Sequence, residues 1–174
     1  MTKCNKFRKG FGILEVLVSS LIIITILMAL VFVGRTALAN SAYSQEKAQA
    51  VYVAQEGIEI VRQIRDTNWI DGDNTTGWNS LTSLAGTNNY KVNFSSSKYS
   101  LVLGSDSVTV NNMAFIRTIK IESVGSLLPG TGASTDVHPT DNALKVTSTV
   151  TWSFNNVQKS VSASEILTNW RPNF

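Results

Sequence analysis

The sequence predicts an α+β fold: a long N-terminal α-helix, half membrane-type and half amphipathic, packed against an antiparallel β-sheet head. Three observations lead there. Residues 11–33 are an apolar run whose only charge is Glu15. Apolar residues then recur at helical spacing as far as Ile64. Near the C-terminus, residues 145–154 alternate between apolar and polar, the period of a strand with one buried face.

The first ten residues carry Lys3, Lys6, Arg8 and Lys9 and no acid. The net charge of the whole chain is +3, so without these four cations it is −1. The basic balance belongs to the tip and not to the body, which disfavours a nucleic-acid binder. Cys4 and His138 are the only cysteine and histidine. One cysteine forms no internal disulfide, and zinc sites need more ligands than these. No apolar stretch precedes Cys4, so it does not read as a lipidation site.

Residues 11–33 would rise about 35 Å as a helix, enough for a hydrocarbon core of about 30 Å. The basic tip in front keeps to the cytoplasmic side, leaving the body outside. A cleaved secretory signal is the plainer alternative, since Ala37-Leu38-Ala39 offers a small-residue cut site. Its apolar region is normally about 7–15 residues, however, and this one is longer, holds Glu15, and is separated from the alanines by Arg35. Glu15 is costly inside lipid. Either it snorkels to the headgroups, where it also complements the positive end of the helix dipole, or it has a partner.

Ala50, Ala54, Ile58, Val61 and Ile64 mark one helix face, with Gln55, Glu56, Glu59, Arg62 and Gln63 opposite. Glu59 and Arg62 are spaced to pair at i,i+3. Gly34 and Gly57 are the weak points of this helix, which should end near Asp66. Residues 67–89 are rich in Asn, Thr, Gly and Ser and read as an irregular loop. Strand signals follow at 90–94, 99–103, 107–110, 113–122 and 145–154. Asn155-Asn156 then turns the chain into a return strand at 157–166. Residues 127–142 read as a polar loop.

Arg8-Lys9-Gly10-Phe11, then Leu14-Glu15 and the apolar run, resembles the N-terminus of type IV prepilins and pseudopilins. The likeness is tight over residues 8–24. Gly12 departs from it, standing where the family has Thr or Ser. AQEGIEIVRQIRDTNW and the closing ILTNWR are more loosely similar to minor pilins. The resemblance implies four segments: a leader over 1–10, a transmembrane and filament-core helix over 11–34, an amphipathic continuation over 35–66, and a head over 67–174. It implies that a prepilin peptidase cuts between Gly10 and Phe11 and methylates the new amine of Phe11. It assigns Glu15 to docking between subunits. Other partners implied are pilin or pseudopilin subunits, membrane lipid before assembly, and the inner-membrane assembly platform. The implied location is the cytoplasmic membrane, single-pass with an extracytoplasmic head, and then a cell-surface or periplasmic filament. An alternative from a different class is a single-pass anchored binding or adhesion module displaying the loops at 67–89 and 127–142.

Other candidate sites read more plainly. Asp71-Gly72-Asp73-Asn74 offers oxygen ligands but lacks the spacing and final glutamate of an EF-hand, so a solvated turn is expected. His138 is expected to be a loop residue. Asn74-Thr75-Thr76 and Asn93-Phe94-Ser95 fit glycosylation sequons, a short pattern that chance supplies often. Of Trp69, Trp78, Trp152 and Trp170, Trp152 and one or two others are expected to fill the core. No phosphate loop, HExxH or G-x-S-x-G is present, and neither enzyme activity nor a cofactor is expected.

Overall fold

The computed structural model describes residues 12–70, 74–124 and 143–169. Two compact units divide the chain, Met1–Ser44 and Gln45–Phe174. Helix α1 spans Ile13–Ile70 and contributes to both.

In the first unit, the Gly12 carbonyl accepts hydrogen bonds from the Glu15 and Val16 amides, at 2.9 and 3.3 Å, and so starts α1. Every residue over 13–42 is exposed. Hydroxyls here turn back on their own helix: Ser20 donates to the Leu17 carbonyl and Thr25 to the Ile22 carbonyl, each at 2.8 Å. A hydroxyl satisfied within its helix presents little polarity outward. The helix runs through Gly34 without interruption.

In the second unit, residues 45–70 of α1 bury one face against a sheet. The buried residues include Ala50, Val53, Ala54, Gly57, Ile58, Ile60, Val61, Arg65 and Trp69, recurring three and four apart along one side of a helix. Two expectations need correction. The helix continues to Ile70, past Asp66, because Arg65 and Trp69 are both buried and hold the extra turn to the head. The segment expected to be an irregular loop contains a second helix, α2, over Asn74–Thr82. Trp78 and Leu81, three residues apart, are 3% and 1% exposed and fill the core, so burial overrides a polar composition.

Six strands form one antiparallel sheet: β1 (Tyr90–Ser95), β2 (Lys98–Leu103), β3 (Asp106–Val110), β4 (Met113–Ser123), β5 (Ala143–Phe154) and β6 (Val157–Thr168). Their order is β2-β1-β4-β5-β6, with β3 also paired to β4. All six lie within two residues of the predicted spans, and the α+β expectation holds. Ser96-Ser97, Asn111-Asn112 and Asn155-Asn156 close three hairpins, all with positive φ; the last pair sits at 52° and 62°. Two successive left-handed residues make the turn whose twist matches the flanking strands, and asparagine tolerates it better than most side chains.

Alternation decides which face is covered. Leu144, Val146, Ser148, Val150 and Trp152 of β5 are buried, while Lys145, Thr147, Thr149 and Thr151 between them are half-exposed. The core gathers Val61, Trp78, Leu81, Tyr90, Ile119, Ile121, Leu144, Val146 and Leu167. Gly57 lies at the closest approach of helix to sheet. A Cβ there would stand 2.5 Å from Ser148 Oγ and 3.0 Å from Arg117 Cδ. A residue expected only to weaken the helix is what lets it settle on β4 and β5.

Candidate membrane and assembly segment

The sequence points to the start of α1 as the functional segment. Gly10 and Phe11, the expected cleavage and methylation positions, lie outside the described residues, as do Asp71, Asp73 and His138. Glu15 is described. It sits in the first turn of α1, is exposed, and has no ion-pair partner among the described residues. Around it Ile13, Leu14, Leu17, Leu21, Ile22 and their successors expose large side chains on every side of the helix. Among the described residues this is the one helix long and apolar enough to cross a membrane, and its apolar window is 0% buried within the chain.

The second unit places its charges differently. Arg62 donates to both oxygens of Glu59, at 2.6 Å, and to both of Glu165 on β6, at 2.5 and 2.6 Å. The bond to Glu165 holds the Arg62 guanidinium above its usual range, with the nearby Glu59 charge adding to it. The i,i+3 pair was legible from spacing; its third member, 103 residues away in sequence, was not. Arg117 of β4 is 3% exposed and donates to Asp106 of β3 at 2.6 Å, with Glu56 of α1 at 3.6 Å. It ties two strands to the helix through a desolvated cation that needs its acids. Trp152 donates its indole N–H to Glu46 at 3.1 Å, so the ring fills the core while its polar edge is satisfied on α1. Arg65 stacks over Trp69, 4.7 Å from the ring centre.

These are fastenings of the head, with no arrangement of nucleophile and base among them. No group of three or more His, Cys, Asp or Glu suited to a metal is gathered among the described residues. Asn93 of the second sequon is exposed on β1, and its amide lies 3.4 Å from Ser100 Oγ. An open groove of about 480 Å³ runs between α1 and β6, lined by Tyr52, Gln55, Glu56, Ile58, Glu59, Ala163, Ser164 and Glu165. Comparison with family models, with curated proteins and with solved structures finds no match to this chain.

Proposed function

We propose that the chain is a minor pilin or pseudopilin, a structural subunit of a type IV pilus or a type II secretion-like filament. The observation that carries this reading is an apolar helix segment left wholly uncovered by the described residues, with a single carboxylate in its first turn, attached to a folded head. Before assembly, lipid covers that segment, with the head on the extracytoplasmic side of the cytoplasmic membrane. In a filament, the same segments of neighbouring subunits cover it.

In this mechanism a prepilin peptidase cuts after Gly10 and methylates the amine of Phe11. That amine is cationic and stands four residues, about 6 Å along a helix, before Glu15. A neighbour shifted along the filament axis by that distance brings its amine to the carboxylate. The desolvation cost of Glu15 is offset only in that register, so the pair selects docking order as well as contributing stability.

The decisive experiment is the N-terminal mass of the protein purified from its native membrane. A chain beginning at methylated Phe11 is expected. Intact Met1, or a start at Asn40, removes the reading. Gly10→Val should block processing. Glu15→Val should leave insertion and cleavage intact and stop incorporation into filaments, with Glu15→Asp intermediate. Normal incorporation of Glu15→Val subunits leaves the carboxylate as a snorkelling end residue and ends the pairing mechanism.

A further inference from the structure

Between Glu15 and Arg35 the chain carries no charge. Both residues lie on α1 within the first compact unit, and both are exposed. They stand twenty residues apart, about 30 Å along a helix, and a hydrocarbon core is about as thick. Large apolar groups from Val16 to Val33 are exposed between them, and the Ser20 and Thr25 hydroxyls are satisfied on carbonyls of their own helix.

The helix supplies Arg35 with no acid. The positions three and four away on either side are Val31, Phe32, Leu38 and Ala39, and the nearest carboxylates along the chain are Glu46 and Glu15. Arg35 has no ion-pair partner among the described residues. A guanidinium so placed is open to an anion from its surroundings. At the end of a lipid span those surroundings hold headgroup phosphates, whose oxygens match the planar fork of arginine with two parallel hydrogen bonds.

We propose that Arg35 binds a phospholipid headgroup phosphate on the extracytoplasmic side and, with Glu15 at the opposite surface, fixes the depth of α1 in the bilayer before assembly. The inference rests on the membrane reading above, and not on cleavage at Gly10 or on docking between subunits. Movement of the helix towards the extracytoplasmic side draws Glu15 into hydrocarbon, and movement the other way draws in Arg35; each is costly. The resting depth is bounded from both ends. Arg35 has no substitute in this role among its neighbours. After it come Thr36, Ala37, Leu38 and Ala39, with Asn40 the next strongly polar side chain. The Thr36 hydroxyl is already satisfied, donating to the Val33 carbonyl at 2.9 Å and the Phe32 carbonyl at 3.2 Å, and Leu38 is exposed. Without the cation, nothing on this stretch stops the helix from sinking by a further turn. A single cation here does not reverse the orientation, since Lys3, Lys6, Arg8 and Lys9 outweigh it at the other end.

The test uses the full chain with Cys4→Ser, reconstituted in vesicles of phosphatidylcholine and phosphatidylglycerol. Single cysteines at positions 33, 34 and 36–41 are treated with a membrane-impermeant maleimide, and labelling is normalised to Ser44→Cys. Protection should end close to position 35. Arg35→Leu should move that end by about one turn, some four residues, towards the C-terminus. Arg35→Lys should hold it within a residue, and tryptophan fluorescence of both variants should stay that of the parent. In solid-state NMR of the chain with nitrogen-labelled arginine, the guanidinium signal lost in Arg35→Lys should be dephased by lipid phosphorus. An end of protection indifferent to Arg35→Leu overturns the depth role. A guanidinium untouched by phosphorus overturns the phosphate contact, and one dephased instead by carboxyl-labelled glutamate assigns Arg35 to a protein acid. Labelling at every position tested, with no protected stretch, removes the membrane reading itself and this inference with it.

Discussion

The two stretches of α1 use the same backbone to opposite ends. Over residues 45–70 most apolar side chains keep to one face, which the sheet of the same chain covers, with Tyr52 and Ile70 the exposed exceptions. Over 13–42 they point all round and nothing among the described residues covers them. A one-sided stripe specifies a partner surface that the chain itself supplies. An all-round apolar surface calls for apolar surroundings on every side. The position of charge follows the same division. In the second stretch Glu56, Glu59, Arg62, Arg65 and Asp66 are paired, whereas Glu15 has no ion-pair partner among the described residues.

Substitutions can break this contrast, and unfolding of the detergent-solubilised chain followed by tryptophan fluorescence reads most of them. Trp152→Ala should have the largest effect, about 3–5 kcal/mol, since it empties a buried site and leaves Glu46 without its donor. One residue type tests the two stretches directly. Ile58, 6% exposed, should cost about 2–5 kcal/mol on change to alanine. Ile23, 57% exposed, should stay within about 0.5 kcal/mol. Comparable losses at both positions would show the first stretch to be packed by the head after all. Gly57→Ala should destabilise by about 1–3 kcal/mol despite alanine's better helix propensity, because the added methyl collides with Ser148 and Arg117. Arg62→Gln should lose only about 0.2–1 kcal/mol, its pairs being partly solvated.

The smallest effect is a titration. Lys120 donates to Glu122 at 2.6 Å and holds its carboxyl below the ordinary range. A carboxylate with a lowered folded pKa contributes stability above its unfolded value, about 4.3. That contribution fades as pH falls through the folded value. Lys120→Gln should move the Glu122 side-chain resonance to titrate at higher pH, and an unmoved titration would place the cause elsewhere.

Sequence reading recovered what repeats locally and missed what depends on distant partners. Alternation over 145–154 and the Asn155-Asn156 turn specify β5, the hairpin and β6 because a strand's pleat and a tight turn are set by neighbours in the chain. Helix α2 escaped because its surroundings are polar and its reason to exist, Trp78 and Leu81 under β4 and β5, lies in the tertiary core; their spacing of three was the available signal. The role of Gly57 also depends on residues far along the chain, Arg117 and Ser148. So does the second acid of Arg62. In the candidate site, Glu15 and the apolar run were legible from composition alone.

The hydrogen bond between Arg62 and Glu165 also sets a timetable. The two residues are 103 apart in sequence, so at about 5–20 residues per second a ribosome delivers the second roughly 5–20 s after the first. Each hairpin can close within about 10 μs of emerging. Synthesis, and not strand pairing, is therefore the slow step, and β6 is the last strand to be made. Throughout that interval Ile58, Val61 and Trp69 are born without their cover. The amphipathic stretch is thus the part of the nascent chain most in need of a temporary surface.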